Sequence, residues 1–283
     1  MTGPAVQRQA RRTAGHAERV AHSVALLRQA AVRHPDRVVQ VSSLGVEGMV
    51  LTDLAARHGL AIPVATLDTG MLHAQTLALL LRIRQRWGIE VEVLQPQAEA
   101  IVQFVQRHGE RAMFESVALR QACCDLRKVQ PMQRLLAGRT AWITGLRREQ
   151  SSHRGGVDEV TIDDGREKFC PLAAWSEADV WQYVADHDVP YNPLHDDFMP
   201  SIGCAPCTRA VLPGEDPRAG RWWWEQQGPR ECGLHLAPAR ATATRAAGVA
   251  NEVVNGIANG IANGVGVEVD VANELETEAE ATP

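Results

Sequence analysis

The chain has 283 residues, of which 45% are apolar and 22% charged, a composition typical of a globular protein. No apolar run approaches the roughly 20 residues of a membrane helix, and residues 1–12 contain no apolar segment of a secretory signal. The net charge of −5 hides an asymmetry: residues 1–245 carry 27 acids and 29 bases, whereas the remainder carries seven acids and no base. We therefore expect a cytoplasmic protein with no membrane or nucleic-acid partner, in which disulfides are rare.

Predicted strands and helices alternate along most of the chain. Helical spacing of apolar residues predicts helices over 17–33, 46–58, 72–87, 98–108, 115–137 (with a break near Pro131) and 176–186. Short apolar runs predict strands over 38–41, 61–67, 89–94 and 140–144, and then a hairpin of 160–162 and 168–170. This alternation predicts an α/β fold with a mostly parallel, twisted sheet and helices on both faces. The loops 42–48, 67–71 and 145–156 would then share one sheet edge, where such folds bind ligands.

The two ends of the chain are predicted to lie outside the packed core. Residues 1–15 are polar, and we expect them to fray. From about residue 239 the composition changes to Ala, Gly and Asn, with a four-residue repeat that begins at Asn255. Such a composition disfavours a packed core. We therefore predict a folded domain, 1–238, followed by a disordered acidic tail, 239–283.

Four of the six cysteines form two close pairs. Cys123 and Cys124 are adjacent in a predicted helix, where neighbouring side chains point about 100° apart, and Cys204 and Cys207 form a C-x-x-C pair. Adjacent helical cysteines cannot easily share one tetrahedral zinc ion, but they can reach two corners of a cubane iron–sulfur cluster, which takes four thiolates. The spacing alone leaves three explanations open: a [4Fe–4S] cluster, a zinc site, or inert buried cysteines.

The other two cysteines have different surroundings. Cys232 is followed by Gly233, which predicts an accessible backbone, and the nearby His235 could favour the thiolate. The alternative is a spare surface cysteine. Cys170 follows a strand-like run and is predicted to be buried and structural.

Two loops of the predicted ligand edge have the composition of anion sites. Residues 42–48 join a strand to a helix, so backbone N–H groups and the helix N-terminus could face an anion, although the loop is not a Walker A motif. Residues 145–154 include three arginines, which suit sulfate or phosphate. Each pattern is weak alone, because Ser and Gly are common in strand–helix turns and a basic loop is often simply solvated.

Together these motifs resemble the assimilatory sulfonucleotide reductases, and within them the iron–sulfur adenylyl-sulfate (APS) reductases. The similarity runs from about residue 38 to 236 and rests on separate motifs in one order. These are Ser43-Leu44-Gly45-Val46-Glu47, Leu67-Asp68-Thr69-Gly70, Cys123-Cys124, Gly145-Leu146-Arg147-Arg148-Glu149-Gln150-Ser151, Pro190-Tyr191-Asn192-Pro193-Leu194-His195, Ser201-Ile202-Gly203-Cys204-Ala205-Pro206-Cys207-Thr208-Arg209, Gly214-Glu215-Asp216, Gly220-Arg221-Trp222-Trp223-Trp224-Glu225 and Glu231-Cys232-Gly233-Leu234-His235.

The resemblance implies an adenine-nucleotide α-hydrolase-like fold with a mobile C-terminal catalytic segment, and the reduction of APS to sulfite and AMP. Cys232 would be the catalytic nucleophile that forms an S-sulfocysteine. One structural and electrostatic [4Fe–4S] cluster per chain would be held by Cys123, Cys124, Cys204 and Cys207. Substrate would be bound by Ser42, Ser43, Gly45 and Glu47 of a modified P-loop, by Leu67, Asp68, Thr69 and Gly70, by Lys128, Arg147, Arg148, Arg154, Arg218 and Arg221, and by His235. A thioredoxin or glutaredoxin-like protein would supply the electrons. The resemblance also implies a homo-oligomer, and it implies no nicotinamide, flavin or magnesium cofactor.

Several alternatives and departures remain. The two cysteine pairs favour APS, because the 3′-phosphorylated (PAPS) branch of the family generally lacks them, but a PAPS or dual reductase is an alternative. A tRNA-thiolating nucleotide α-hydrolase needs a Ser-Gly-Gly-x-Asp-Ser type loop that this chain lacks, and a non-catalytic iron–sulfur sensor would leave Cys232 incidental. Gly48 stands where relatives commonly have an acidic residue, residues 197–199 replace a segment with Gly and an aromatic residue, and Cys170 replaces Asn.

Overall fold

A computed structural model of the chain describes residues 4–151 and 154–225. The strands are β1 (Val38–Val41), β2 (Val64–Leu67), β3 (Glu92–Leu94), β4 (Ala141–Ile143), β5 (Val160–Asp163) and β6 (Arg166–Phe169). They form one six-stranded sheet in the order β3-β2-β1-β4-β6-β5. All neighbouring pairs are parallel except β5 and β6, which form the predicted hairpin at one edge. The predicted α/β class with a mostly parallel sheet is therefore confirmed.

The α-helices of the described residues are α1 (Ala5–Gln9), α2 (His16–Arg33), α3 (Val46–Arg57), α4 (Ala74–Trp87), α5 (Ala98–His108), α6 (Val117–Cys124), α7 (Gln130–Leu136) and α8 (Glu177–His187). Helices α2 to α5 and α8 begin and end within two residues of the predicted positions. Ser176 caps α8: its hydroxyl accepts from the Asp179 backbone N–H, and the Asp179 carboxylate accepts from the Ser176 backbone N–H. Within the described residues, no helix combines the length and apolar character needed to cross a bilayer.

The sheet has a hydrophobic core on each face, because successive strand residues point in opposite directions. Val38 and Ile143 pack on one face with the buried side chains of α2, α3 and α8. Val39 and Trp142 pack on the other face with Met132, Leu135 and Leu136 of α7. Helices thus cover both faces, as the sequence predicts.

The helical region 115–137 differs from the prediction in where its irregularity lies. The sequence predicts a break near Pro131, whereas the structure has a π-helical turn, Asp125–Val129, between α6 and α7. Pro131 lies in the first turn of α7. Proline has no N–H to donate, so the regular i to i−4 hydrogen-bond pattern cannot continue through Pro131, and the wider turn lies just before it. This turn directly follows Cys124 and carries Lys128.

The prediction that residues 1–15 fray is wrong for the described residues 4–15, which make tertiary contacts. Ala5 is fully buried in α1, and its N–H donates to Asp196 Oδ1 at 2.6 Å. The backbone N–H of Thr13 donates to Gln182 Oε1 at 2.8 Å. Local polarity could not reveal this order, because the partners lie more than 160 residues away in sequence. The predicted mobile C-terminal segment, the boundary at residue 238 and the tail 239–283 lie outside the described residues.

Candidate functional site

A cavity of about 390 Å³ lies at the carboxyl edge of the parallel strands. Val41 at the end of β1, Leu67 at the end of β2 and Thr144 just after β4 line it. Parallel strands end at one edge of their sheet, so the loops that follow them meet there. The three loops predicted to share this edge therefore all contribute to one cavity.

Most of the predicted substrate-binding residues line this cavity. They are Ser42, Ser43, Gly45, Glu47, Leu67, Thr69, Lys128, Arg147, Arg154, Arg218 and Arg221. Asp68, Gly70 and Arg148 are not part of the lining. Asp68 accepts from the Gly70 N–H at 3.0 Å and so shapes its own loop, while the exposed Arg148 donates from Nε to the Val157 carbonyl at 2.8 Å. His235 lies outside the described residues.

The loop at residues 42–48 is shaped by a tight turn against α3. Ser42 Oγ accepts from the Leu44 N–H at 3.0 Å, and Leu44 has a left-handed φ of 59°. A Cβ atom at position 48 would lie 2.2 Å from Ser42 Oγ, so only glycine fits there without movement of the serine. Close packing against Ser42 therefore explains why this chain has Gly48 where relatives commonly have an acidic residue.

Glu47 and Arg147 join this loop to the arginine loop after β4. Arg147 Nε donates to Glu47 Oε1 at 3.0 Å, and Gln150 Nε2 donates to the same oxygen at 2.9 Å. Burial disfavours the carboxylate, but the Arg147 charge and the Gln150 hydrogen bond outweigh it and hold the Glu47 pKa below its ordinary value of 4.5. Glu47 is therefore ionised at neutral pH and orients Arg147.

Three cationic side chains lie at the end of the cavity beside the Cys204–Cys207 turn. Arg218 Nη1 donates to Ser201 Oγ at 3.2 Å. Arg221 Nε donates to the Cys207 carbonyl at 3.3 Å, and its guanidinium lies 4.6 Å from the Trp222 ring centroid. With Lys128, these arginines give this end the charge that an anionic group requires.

The four paired cysteines line a second, small cavity of about 10 Å³. All four are buried, although their pairs are about 80 residues apart in sequence. Among the described residues, no group of three or more His, Cys, Asp or Glu side chains is arranged for a single metal ion. A cubane cluster takes one thiolate at each iron, so four thiols around one space fit that group. Cys170 lies elsewhere, buried beside Leu146 and Ala173, where burial raises its pKa to about 11.

The pKa values of the cysteines that line the small cavity are shifted in different directions. Burial raises the pKa of Cys123, and it raises that of Cys207 to about 12. Cys204 differs: burial opposes its ionisation, but the charge of Lys128 and a 3.2 Å contact with Thr69 Oγ1 bring its pKa below the ordinary value of 9. Lys128 and Cys204 also line the larger cavity. The two cavities therefore adjoin through these two residues.

Gln150, Glu177 and His195 are among the polar wall residues for which the sequence predicts no role. Gln150 and His195 belong to the motifs that carry the family resemblance, but no chemical pattern singled them out. Glu177 looked like an ordinary acidic residue in the first turn of α8. All three line the large cavity, because α8 and the turn before residue 195 pack against the sheet edge.

Comparison with known proteins agrees with this geometry. The model of the phosphoadenosine phosphosulfate reductase domain matches residues 37–210. The chain belongs to this family. The matched residues include the three loops of the large cavity and both cysteine pairs, and they exclude Cys232.

Relatives within the phosphoadenosine phosphosulfate reductase family point to one branch. An adenosine 5′-phosphosulfate reductase of Burkholderia cepacia is 50% identical over 78% of this chain and 91% of its own length. One from Allochromatium vinosum is 48% identical over 80% and 90%. The phosphoadenylyl-sulfate reductase of Candida auris, solved as a phosphate complex, is 27% identical with a TM-score of 0.57, over 67% of this chain and 90% of its own. The predicted membership of the sulfonucleotide reductases, in the APS reductase branch, is confirmed.

Proposed function

We propose that this protein reduces adenosine 5′-phosphosulfate to sulfite and AMP in assimilatory sulfate reduction. One observation carries the proposal: a cavity of nucleotide size has a cationic end that adjoins the cavity of the four cysteines. The relatives named adenosine 5′-phosphosulfate reductase support the same substrate.

Each part of the substrate has a matching part of the large cavity. The loop at residues 42–48 and the helix N-terminus behind it would bind the AMP phosphate, together with Arg147 and Arg154. Leu67 and Thr69 would contact adenosine, in a loop held in shape by Asp68 and Gly70. The sulfonate would lie at the end formed by Lys128, Arg218 and Arg221, and Arg148 would add positive charge from outside the lining.

The reaction is a displacement at sulfur followed by a thiol exchange. The Cys232 thiolate attacks the sulfur of APS; a sulfur–sulfur bond forms, the bond from sulfur to the phosphate oxygen breaks, and AMP leaves with the electron pair. Cationic side chains offset the charge that gathers as two anions approach. A thiolate of thioredoxin or a similar protein then attacks Cys232 Sγ and releases sulfite, and its second thiol resolves the mixed disulfide. His235 would assist binding beside Cys232.

The four cysteines would hold one [4Fe–4S] cluster per chain, one thiolate at each iron. When bound, the cluster would join α6 to the Cys204–Cys207 turn and contribute to the field at the sulfonate. Lys128, which lines both cavities, would lie between cluster and substrate. We further propose a cytoplasmic homo-oligomer whose domain 1–238 carries the activity.

The test is a paired assay on anaerobically purified protein. Iron and sulfide are measured per chain, and thioredoxin-dependent sulfite is measured with APS and with PAPS. We expect four irons per chain, sulfite chiefly from APS, and loss of sulfite release in Cys232→Ser with the iron retained. Cys170→Ala is the matched control, since that buried thiol lines neither cavity, and it should keep its activity. Zinc without sulfide, or retained turnover in Cys232→Ser, would contradict the proposal; equal turnover of PAPS would make the protein a dual reductase.

A further inference from the structure

Trp222, which follows Arg221 of the substrate cavity, has a strained backbone. Its φ is 44°, in the left-handed region that bulky side chains rarely adopt. The residue is buried, with 1% of its surface exposed. A conformation of this kind costs free energy and persists only where surrounding contacts hold it. The neighbours of Trp222 must therefore supply those contacts.

Arg120 of α6 holds the turn that Trp222 begins. Its guanidinium lies 4.7 Å from the Trp222 ring centroid, and its Nε and Nη2 donate to the two carboxylate oxygens of Glu225 at 2.7 and 3.0 Å. The Glu225 N–H donates to the Trp222 carbonyl at 2.9 Å, which closes the turn 222–225. The Arg120 and Glu225 side chains are only 4% and 7% exposed. One buried arginine thus contacts both ends of the turn.

The same arginine connects the surroundings of the two cavities. Arg120 lies one helical turn before the adjacent cysteines, lines the small cavity and forms a side-chain hydrogen bond with Cys124. The Trp222 ring that it contacts also lies 4.6 Å from the guanidinium of Arg221, which lines the large cavity. A bidentate pair of guanidinium and carboxylate fixes the geometry of both partners. The place of Arg221 therefore depends, through Trp222, on Arg120.

The ion pair of Arg120 and Glu225 is better suited to fixing geometry than to raising stability. Removing two charges from water can cost more free energy than their attraction returns, so apolar side chains often replace a buried pair without loss of stability. Fixing a geometry, in contrast, requires the planar guanidinium and the carboxylate themselves. The two roles therefore predict different outcomes for an apolar replacement.

We propose that Arg120 and Glu225 are positioning residues that hold the Trp222 turn and thereby place Arg221 for the sulfonate of the substrate. This inference rests on the proposed function, which assigns the sulfonate to the cationic end of the large cavity. It joins α6, the helix of the adjacent cysteines, to sulfonate binding through a protein contact.

Glu225→Gln tests the contact while it keeps the size of the side chain. The affinities for APS and AMP are measured by calorimetry on anaerobic holoprotein in a Cys232→Ser background, which should bind APS without forming S-sulfocysteine. We expect Glu225→Gln to bind APS about 10-fold more weakly, the effect of one charge-assisted hydrogen bond, and to bind AMP within about threefold of the natural residue. The iron content should stay unchanged, because Glu225 lines neither cavity.

Glu215→Gln is the matched control. It alters another bidentate pair, in which Arg209 Nη1 and Nη2 donate to the Glu215 carboxylate at 2.8 and 3.0 Å, and Glu215 lines neither cavity. Its ratio of APS to AMP affinity should not change. In an Arg221→Met background, Glu225→Gln should weaken APS binding by less than about threefold, because the residue through which it acts is gone. A full 10-fold loss in that background, or equal losses of APS and AMP affinity in Glu225→Gln, would overturn the inference.

The double variant Arg120→Met with Glu225→Met separates geometry from stability, and it does not require Glu225→Gln to fold. Its midpoint of thermal unfolding should stay at or above that of the natural pair, while APS binding stays about 10-fold weaker. APS affinity that recovers together with stability would show that packing suffices and would overturn the inference. If the protein with the natural pair binds neither APS nor AMP, the proposed function fails. If it binds both, and no variant changes the ratio of their affinities, only this inference fails.

Discussion

Arg221 lies directly against the backbone of Gly203. A Cβ atom at position 203 would come within 2.3 Å of Arg221 Nη2 and 2.5 Å of its Cζ. The guanidinium is held on its other sides by the Trp222 ring and the Cys207 carbonyl. The glycine before the C-x-x-C pair therefore makes room for a cation of the substrate cavity.

Gly203→Ala should displace the Arg221 guanidinium and weaken the binding of the sulfonate. Because a charge-assisted hydrogen bond contributes about 1.5–3 kcal/mol, we expect the KM for APS to rise about 10- to 100-fold. AMP has no sulfonate, so its affinity should change less than threefold, within roughly 0.6 kcal/mol. Gly156→Ala is the control, since a Cβ atom there meets nothing within 4 Å. An unchanged KM for APS in Gly203→Ala would show that Arg221 does not contact the sulfonate.

Gly48→Ala should disturb the loop at residues 42–48 through its clash with Ser42. Overpacking of this kind costs about 1–3 kcal/mol, so the free energy of unfolding should fall by that amount and AMP binding should weaken. The clashing atoms are Ser42 Oγ at 2.2 Å and Cβ at 3.3 Å, whereas Cα lies at 3.8 Å. The double variant Ser42→Gly with Gly48→Ala should therefore recover most of the lost stability in urea unfolding. If the double variant is less stable than Gly48→Ala, the clash is not the cause.

Lys128→Met should lower kcat/KM for APS about 100-fold, because the lysine lines both cavities and would face the developing charge. The iron content and the AMP affinity of Lys128→Met should stay unchanged, whereas a general loss of structure would lower both. Lys168→Met is a matched control: it removes the only other lysine of the sequence, which lies on β6 with its ammonium 4.8 Å from the ring centroid of Trp142 on β4. Equal losses in the two variants would point to stability rather than to the reaction.

Glu177→Gln should tighten AMP binding, because this carboxylate lines the anion-binding cavity. Burial, and then the charges of Glu47 and Glu149, raise the Glu177 pKa above its ordinary value of 4.5, while Arg147 opposes them. A raised pKa means that the repulsion is fully present above the pKa and is lost as pH falls through it. We expect about fivefold tighter binding at pH 7.5 and a ratio that falls toward one as the pH is lowered through the raised pKa of Glu177. Glu90→Gln, which alters an exposed ion pair with Arg84, should show no such trend.

The elements of the sheet were predictable because their signals are local. The apolar run at 38–41 and the helical spacing of 98–108 depend on neighbours within two turns, and both match the structure to the residue. The π-helical turn after Cys124 was not predictable in the same way, since the effect of Pro131 depends on the helix that precedes it. Residues 4–15 were missed because their order comes from contacts with Gln182 and Asp196.

The sequence by itself determined the family, the order of the strands and helices, and the residue types of the site, since motifs and periodicity are properties of neighbouring positions. Only the tertiary structure decided which of these residues meet. It brought two cysteine pairs about 80 residues apart to one cavity, left Arg148 outside the cavity that Arg147 lines, and buried His195 in its wall. The net charge of −5 likewise described the whole chain and not the site. Long-range packing, which places a charge beside a ligand or away from it, is set by the fold and not by the local sequence.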